Sequence, residues 1–486
     1  MTIYDVDRYL NSLDDGRAVY YRGQKVSNVV NHPEIGAAVK HASLVYKWQK
    51  DPKYRSMLVC RDKDYGEIST FYRIPKKPED LMERFDLIYK TTRMGRGTFN
   101  IIQAIGSDAL FALLIASREI DSKLGTAYHD RVEKFFRYVA EEDLALAVAQ
   151  TDVKGDRILR PSEQSDPDMY VHIVKRTNEG IIVRGAKAHT TQGPVANEII
   201  VLPTRAMTKD DADYAVAFAI PANAKGLKMI SKPEKASEAA LNDPWFIVGR
   251  ENVETESITI FDDVFVPWDR VFLAGEWQYA GLIAVMFPTY HRFTAIAYRA
   301  GIADMLIGLG KLLAELNGVD DKSHIRRDIV EIIKYKELLR STGYLAAHES
   351  KMDPATSIYV PNRVITNVGK LIANENYLDV VKHLVDVAGG LAATLPSSKD
   401  FENPDERKYL EKYLVGKKGT DAIVRSRILS MTKEIISSFG ALFATAMIHA
   451  EGSIEASILE LYRSYDYDGS KDLAFYASGI RDELRE

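Results

Sequence analysis

The stretch from Asp168 to Thr191, DMYVHIVKRTNEGIIVRGAKAHTT, decides the fold class, because it interrupts an otherwise helical chain. It contains two runs rich in Val and Ile, joined by Asn-Glu-Gly, and this pattern predicts a β-hairpin. Four further β-rich runs follow: EIIVLPTRAM, YAVAFAIPA, GLKMIS and SITIFDDVFVPWDRVF. Short strands at this spacing predict a small β-barrel or sandwich.

Helical patterns flank this β segment on both sides. Apolar residues recur at helical spacing in PEDLMERFDLIYKTTRM before it and in RVITNVGKLIANENYLDVVKHLVDVAGG after it. We therefore predict an α+β, mainly α fold. It has an N-terminal helical domain (1–148), a central β-barrel domain (149–276) and a C-terminal helical bundle (277–486).

The composition excludes several classes of protein. The chain has 486 residues with a net charge of −5, so no broad basic surface for nucleic acid is expected. Its single cysteine, Cys60, cannot form an intrachain disulfide, and one thiolate cannot hold an iron–sulfur cluster or a structural zinc ion. The N-terminus has early acidic residues and no apolar signal core, and no run approaches 18 apolar residues. We expect a cytoplasmic protein without a membrane-spanning helix.

The segment AQTDVKGDR lies where the helical zone meets the β zone. Gln150, Thr151, Lys154 and Arg157 place amide, hydroxyl and cationic groups in one irregular segment. Such groups can bind the edge or the phosphates of a flat heterocyclic cofactor. An ordinary polar connector is the alternative interpretation.

A second polar segment, RGAKAHTTQGP, ends a predicted strand. Thr190 and Thr191 offer hydroxyls to a ligand, and His189 is either an acid–base group or a structural turn residue. Later in the chain, Gly389 and Gly390 follow a long helical pattern. These glycines are either a helix C-cap with a linker or a contact to a cofactor.

Two further segments carry candidate catalytic groups. In TRMGRGTFN, Arg96 stands between two glycines, which allow close approach of the backbone to a ligand. In YHRFTAIAYR, seven residues separate His291 from Tyr298, so on a helix both occupy about the same face, two turns apart. Tyr298 is expected to pack, and Arg292 and Arg299 are expected at the surface, with contact to a ligand phosphate as the alternative.

Taken together, these motifs resemble the 4-hydroxyphenylacetate 3-hydroxylase / 4-hydroxybutyryl-CoA dehydratase family of flavin enzymes, which has an acyl-CoA dehydrogenase-like fold. The resemblance extends over nearly the whole chain. It rests on YLNSLDDGRAVYYRGQKVSNVVNHP, TDVKGDR, GIIVRGAKAHTT, FDDVFVPWDRVF, YHR and AGGLAATLPSS.

The resemblance implies FAD between the β zone and the C-terminal helices of a homotetramer or dimer of dimers. Gly389 and Gly390 fall where related folds touch the cofactor of a neighbouring subunit. The residues that fall at the FAD site are Gln150, Thr151, Lys154, Arg157, His189, Thr190 and Thr191.

The dehydratase branch of the family implies a four-iron cluster held by one histidine and three cysteines. The histidine matches His291, but Tyr298 replaces the cysteine seven residues later. The two N-terminal cysteines would fall in GTFNIIQAIGSDA, which contains none. We therefore predict no metal site. A carboxylate of that branch falls at Ala446, and Glu451 is near it but out of register.

The hydroxylase branch implies an arginine, a tyrosine and a histidine around a phenol. Arg96 matches the arginine, whereas Asn100 and Val148 stand at the other two positions. A site built to bind a hydroxyl group loses much affinity when its polar partners are missing. We therefore do not expect 4-hydroxyphenylacetate as the substrate.

Three functional hypotheses remain. The first is an FAD-dependent oxidoreductase or isomerase that acts on an activated acyl substrate such as a CoA ester, with catalytic residues His291, Arg96 and Tyr298. The second is an aromatic-ring monooxygenase that uses reduced FAD from a separate flavin reductase. The third is a non-catalytic scaffold, against which the polar residues at the expected flavin positions count.

Overall fold

The N-terminal part of the protein is mainly helical. The computed structural model describes residues 5–233, 243–438 and 447–480. Asp5 caps the first helix by accepting a hydrogen bond from the Arg8 amide at 2.8 Å, as its sequence position predicts. The helices are α1 (Val6–Ser12), α2 (Ile35–Lys50), α3 (Pro52–Leu58), α4 (Pro78–Met94), α5 (Ala104–Leu124) and α6 (Tyr128–Glu142).

Strands also occur in this part of the chain, where the sequence predicts helices alone. The four strands are β1 (Val19–Tyr21), β2 (Gln24–Lys25), β3 (Val59–Asp62) and β4 (Gly66–Ser69). Each has two to four residues, which is too short for a period of two to stand out in the sequence. β1 pairs in parallel with a strand more than 200 residues later, so its position is set by tertiary contacts.

The central segment forms two main sheets. The six-stranded sheet has the order β2-β1-β10-β11-β7-β6, and the four-stranded sheet has the order β12-β9-β8-β5. Phe218 and Phe261 meet edge to face, with ring centroids 5.8 Å apart, and so pack one sheet against the other. The strands are β5 (Leu146–Ala149), β6 (His172–Arg176), β7 (Gly180–Thr191), β8 (Glu198–Val201), β9 (Val216–Pro221), β10 (Leu227–Ser231), β11 (Glu256–Pro267) and β12 (Val271–Ala274).

Helices return after one short helix, α7 (Ile247–Glu251), within the β segment. A small hairpin of β13 (Lys351–Met352) and β14 (Tyr359–Val360) interrupts them. The α+β, mainly α class is thus confirmed. The later helices are α8 (Trp277–Asn317), α9 (Ser323–His348), α10 (Arg363–Ala388), α11 (Leu391–Thr394), α12 (Ser398–Glu402), α13 (Pro404–Tyr413), α14 (Ala422–Lys433), α15 (Met447–His449), α16 (Ile454–Ser464) and α17 (Asp468–Ala477).

Helix α8 is the centre of the helical core, since it packs against α4, α5, α9 and α10. Among the described residues, it is also the one helix long and apolar enough to cross a membrane by length and composition. However, 78% of its most apolar window is buried inside the protein, as in a core helix. Its apolar character is therefore explained by packing against other helices.

One predicted domain boundary coincides with the start of an element, and the other does not. The boundary at 276–277 coincides with the start of α8, whereas the boundary at 148–149 falls inside β5. The strands β1 and β2, from the predicted N-terminal domain, join the central sheet. The division into three domains remains a prediction.

Two helical glycines provide a matched test of packing. A Cβ at Gly343 would lie 2.1 Å from Cε2 of Phe85, and Phe85 is itself packed against Phe293 and Tyr344, so it cannot move away. We expect Gly343→Ala to lower the free energy of unfolding by about 1–3 kcal/mol. A Cβ at exposed Gly308 meets nothing within 4 Å. Gly308→Ala should therefore stabilise by up to about 1 kcal/mol. Thermal unfolding midpoints of both variants test this, and a harmless Gly343→Ala would contradict the packing.

Candidate active site

A cavity of about 1240 Å³ lies where the three predicted domains meet. Its wall includes residues 97–105 from the N-terminal part, several strand ends and loops from the central part, and one face of α8. Residues 451–464 line it near α16. The volume exceeds that of a typical small-molecule pocket, so it has room for a large ligand.

A buried ion pair joins the two polar segments of the central part. Nζ of Lys187 lies 2.6 Å from Oδ1 of Asp152, and it also donates to the carbonyl oxygens of Gln150 and Leu202. The Ala188 amide donates to the carbonyl of Thr151 at 2.8 Å. The segments AQTDVKGDR and RGAKAHTT, about 35 residues apart in the chain, are therefore fixed side by side.

The loop at 150–157 presents two cations to the cavity. Gly155 has a φ of 49°, and a Cβ there would lie 2.5 Å from Oε1 of Gln164, so glycine is required at this tight turn. On either side of it, Lys154 and Arg157 are exposed and line the cavity. Neither makes an ion pair with any residue that the structure describes, which leaves both charges available to an anionic ligand.

The end of β7 lies beside this loop. His189 adopts a φ of 54° at a β-bulge opposite β11 and lines the cavity. Thr191 also lines it, and its hydroxyl donates to Oε1 of Glu256 at 2.8 Å. Burial is the largest influence on the Glu256 carboxyl and raises its pKa. Thr190 faces the opposite way, since its hydroxyl accepts a hydrogen bond from buried Thr259.

One face of α8 forms a wall of the cavity. Gly281, Ala284 and Pro288 line its first turns, and these small side chains leave space for a ligand. His291 and Tyr298 follow on the same face, so the prediction that both share one side of a helix is confirmed.

His291 is buried in this wall and held by a carboxylate. Its Nδ1 lies 3.1 Å from Oδ2 of Asp108, which is on α5 and fully buried. The Phe287 ring stacks on the imidazole with centroids 5.1 Å apart. The ring plane is therefore fixed from two directions.

Tyr298 both packs and donates a hydrogen bond. Its ring stacks on Phe99, with centroids 5.2 Å apart and planes 12° from parallel. Its hydroxyl donates to Oε1 of Glu451 at 2.6 Å. Burial, the largest influence, raises the pKa of this phenol well above its ordinary value, so the hydroxyl is held as a donor.

Glu451 is a buried carboxylate at the same end of the cavity. Its Oε2 lies 2.9 Å from Nη2 of Arg299 and 3.9 Å from Nζ of Lys370. Burial raises its pKa, but the charges of Arg299, Lys370 and His291, together with the Tyr298 hydrogen bond, lower the pKa to about 2. The sequence comparison placed Glu451 out of register with the carboxylate of the dehydratase branch. It nevertheless lies in the site, because the turn before α16 brings it next to α8. Ala446, where the family carboxylate was expected, lies outside the described residues.

The expectation that Arg292 and Arg299 are surface residues is wrong. Arg299 is fully buried beside Glu451, and Arg292 is 4% exposed, with Nη1 donating to Oδ1 of Asn367 at 2.7 Å and also to Glu460. Charged groups on a helix usually face solvent, but here two acidic residues near α16 neutralise the face of α8 that packs against it.

Four predicted site residues lie outside the cavity wall. Arg96 is more than half exposed, and its Nη1 lies 2.8 Å from Oε2 of Glu251. Thr190 is buried behind the wall. Gly389 and Gly390 are exposed at the end of α10. The cavity brings together the other eight: Gln150, Thr151, Lys154, Arg157, His189, Thr191, His291 and Tyr298.

The sequence interpretation missed three residues of the site, Asp108, Phe99 and Glu256, and it placed a fourth, Glu451, out of register. Asp108 and Glu451 hold His291 and Tyr298, and Phe99 and Glu256 line the wall. Phe99 and Asp108 both lie in or directly beside the quoted stretch GTFNIIQAIGSDA, so proximity to that stretch was an available signal. Nothing local marks Glu451 or Glu256, whose positions depend on the tertiary fold.

Comparison with known proteins identifies the family. Models described as 4-hydroxyphenylacetate 3-hydroxylase N terminal and C terminal match residues 6–273 and 280–479. The chain therefore belongs to the 4-hydroxyphenylacetate 3-hydroxylase family of flavin enzymes, which has dehydratase/isomerase and hydroxylase members.

Two relatives represent these branches. The chain is 32% identical to a 4-hydroxybutyryl-CoA dehydratase/vinylacetyl-CoA-Δ-isomerase of Clostridium aminobutyricum, over 98% of this chain and 99% of the relative. It is 29% identical to the oxygenase component of a 4-hydroxyphenylacetate 3-monooxygenase of Thermus thermophilus, over 87% and 86%. The relatives are thus enzymes of two kinds.

Solved structures of both kinds share the fold. An oxygen-tolerant archaeal 4-hydroxybutyryl-CoA dehydratase from N. maritimus has a TM-score of 0.93 and 32% identity, covering 100% of this chain and 97% of that chain. The oxygenase component of a 4-hydroxyphenylacetate 3-monooxygenase, complexed with FAD and 4-hydroxyphenylacetate, has a TM-score of 0.89 and 26% identity, covering 98% and 99%. The expected acyl-CoA dehydrogenase-like fold is confirmed by these neighbours.

The lowered pKa of Glu451 predicts how the free energy of unfolding changes at acid pH. Its folded-state pKa of about 2 lies below the ordinary 4.5, so its stabilisation is complete above about pH 4.5 and is lost as the pH falls toward 2. Glu451→Gln removes the carboxylate that compensates the buried charge of Arg299, and it should cost about 3 kcal/mol at neutral pH. The difference from wild type should shrink over this acid range. Urea unfolding at several pH values measures it, with exposed Glu411→Gln as the control. A pH-independent difference would argue against the ion pair.

Proposed function

We propose that this protein is an FAD-dependent oxidoreductase or isomerase that acts on an activated acyl substrate, a CoA thioester, with His291 as the proton-abstracting base. The observation that carries the proposal is the placement of His291. Its imidazole lines a large cavity, is held in one plane by Asp108 and Phe287, and shares that cavity with the polar loop at 150–157. An imidazole nitrogen with a free lone pair can accept a proton and return it, which suits proton transfer.

The residues of the cavity fit FAD. Lys154 and Arg157 are unpaired cations among the described residues and suit a diphosphate. Gln150, Thr151 and Thr191 supply amide and hydroxyl groups for a heterocycle edge. His189 lies at the same strand end, whereas Thr190 would act only as support behind the wall. When bound, FAD supplies an acceptor for a hydride.

The donor set does not fit the iron–sulfur cluster of the dehydratase branch. Beside His291, the wall carries Phe99, Ile101 and Ile105 from the stretch expected to hold thiolates, and Tyr298 from the third position. The lone cysteine of the chain, Cys60, lies in β3 and does not line the cavity. Phe and Ile side chains have no donor atom, and the Tyr298 hydroxyl donates to Glu451, so this wall does not supply the thiolates that such a cluster requires. No step of the proposed reaction runs through a cluster.

The proposed reaction begins with a proton. His291 takes a proton from the carbon alpha to the thioester carbonyl, and the electron pair of the broken C–H bond delocalises into that carbonyl. In an isomerisation, the imidazolium returns the proton to a different carbon and the double bond moves. In a dehydrogenation, the proton stays on His291, and the hydride of the beta carbon would go to the acceptor that bound FAD supplies. Both outcomes require the same base, so His291 is the residue to test first.

An aromatic-ring monooxygenase is the second candidate, because several relatives are oxygenase components. The site lacks the phenol-binding groups of that branch. Nδ2 of Asn100 donates to the carbonyl of His41 at 2.8 Å, Val148 presents an apolar side chain, and Arg96 is paired with Glu251 outside the cavity. This candidate would require reduced FAD from a separate reductase.

Removal of the imidazole tests the proposed base. With FAD-loaded protein under anaerobic conditions, His291→Ala should slow deuterium exchange at the alpha carbon of vinylacetyl-CoA at least about 100-fold. FAD affinity should stay unchanged. Mass spectrometry measures the exchange, and unchanged exchange would remove His291 from the mechanism. A wild-type protein that exchanges no proton but hydroxylates phenols with reduced FAD and oxygen would establish the second candidate.

Removal of one loop cation tests the cofactor site. Arg157→Ala should weaken FAD binding about 10-fold, because a charge-assisted hydrogen bond to a phosphate is lost. Arg118→Ala is the matched control, since Arg118 is also exposed but lies on α5 away from the cavity wall. Isothermal titration with FAD compares the two variants. Equal affinities would mean that the loop does not bind the cofactor.

The assembly and location follow from the same proposal. We propose a homotetramer, in which Gly389 and Gly390 at the exposed end of α10 approach the cofactor of a neighbouring subunit. We also propose a cytoplasmic location and no nucleic-acid partner, in keeping with the net charge of −5. Sedimentation of the FAD-loaded protein measures the assembly.

A further inference from the structure

A fully buried carboxylate stands behind the proposed base. Asp108 is the fifth residue of α5 and is 0% exposed. Its Oδ2 lies 3.1 Å from Nδ1 of His291. A buried carboxylate is costly unless its charge is compensated and its oxygens are hydrogen-bonded, so its presence here requires partners on more than one side.

The other oxygen of Asp108 is already satisfied. Its Oδ1 accepts a hydrogen bond from Nη2 of Arg84 at 2.6 Å and another from the hydroxyl of Thr294 at 3.0 Å. Arg84 is itself fixed because it also donates hydrogen bonds to the carbonyls of Phe71 and Ala104. The carboxylate is thus held rigidly by two elements, and Oδ2 is aimed at the imidazole.

We propose that Asp108 is the positioning residue of the reaction, which selects the tautomer of His291 that carries its proton on Nδ1 and leaves Nε2 as the base. The inference rests on the proposed function. An ionised carboxylate accepts hydrogen bonds and cannot donate one, so the ring nitrogen that faces it must carry a proton. In the neutral imidazole, the lone pair then belongs to Nε2.

The same contact supports the ring after proton transfer. When Nε2 takes the substrate proton, the imidazole becomes a cation with protons on both nitrogens. Asp108 then faces a positive charge at hydrogen-bond distance, and the attraction is strong because the pair is buried. Arg84 remains paired with the other oxygen of Asp108 at 2.6 Å. The carboxylate therefore acts through His291 and does not need to touch the substrate.

The cavity contains another carboxylate, and its geometry excludes it from this role. Oε1 of Glu451 accepts a hydrogen bond from the hydroxyl of Tyr298, and Oε2 forms an ion pair with Arg299. Its influence on His291 is electrostatic, and no hydrogen bond between the two occurs among the described residues. Asp108 is the carboxylate that fixes the ring.

The test compares two conservative substitutions on the FAD-loaded protein, with vinylacetyl-CoA as the probe. Asp108→Asn keeps the shape but can present its amide N–H to Nδ1, which favours the wrong tautomer. We expect its kcat for alpha-carbon exchange to fall about 100-fold, while KM and FAD affinity change less than about threefold. Asp121→Asn is the matched control, because it is the same substitution on the same helix and Asp121 does not line the cavity. Its kcat should change less than about threefold.

A spectroscopic measurement keeps the proposal testable even if Asp108→Asn does not fold. In wild-type protein labelled with ¹⁵N-histidine, the His291 signals, assigned by their loss in His291→Asn, should show the proton of the neutral ring on Nδ1. A proton on Nε2, or an Asp108→Asn variant with normal kcat, would overturn the role of Asp108. These failures differ from failure of the proposed function, in which wild-type protein or His291→Ala would already give the contrary result.

Discussion

Compensation of buried charge around α8 is the constraint on which the site depends. Two carboxylates, Asp108 and Glu451, are buried against one helix, and each requires cations or hydrogen-bond donors in fixed places. Asp108 forms an ion pair with Arg84 of α4. Glu451 forms ion pairs with Arg299 of α8 and Lys370 of α10. Each pair bridges different parts of the chain. The same ion pairs that make burial tolerable therefore set how α4, α5, α10 and the segment before α16 meet α8.

This constraint explains which parts of the site were open to prediction from sequence. The long helices were predicted because their apolar spacing is local, and His291 and Tyr298 were placed on one face because seven residues make two turns. Arg299 was assigned to the surface because no residue near it in the sequence indicates its partner, Glu451, which lies about 150 residues later. Short strands such as Val19–Tyr21 were missed for a related reason, since their partners lie far along the chain. Local patterns predict elements, and tertiary charge pairing decides the site.

The cofactor loop shows the same division. Its polar residues are visible in the sequence, but the sequence leaves open whether they are a connector. The structure fixes the loop against β7 through the buried pair of Lys187 and Asp152, and it turns Lys154 and Arg157 toward the cavity. Thr190 and Thr191 are adjacent and look equivalent in the sequence. The alternation of side chains along a strand sends one hydroxyl into the protein interior and the other into the cavity.

The stacked pair of Phe99 and Tyr298 lies in the segments where the dehydratase branch implies thiolates, and it supports the proposal of a reaction without an iron–sulfur cluster. Departure of an unactivated hydroxyl needs a strong acid at the leaving oxygen. Tyr298 cannot supply it, because burial raises its pKa and its proton is already directed to Glu451. Proton abstraction next to a thioester has no such requirement, since the carbonyl accepts the electron pair and only a base is needed. A cavity with a positioned imidazole, and with an aromatic pair in place of thiolates, is therefore the basis of our proposal of double-bond migration or dehydrogenation rather than loss of water.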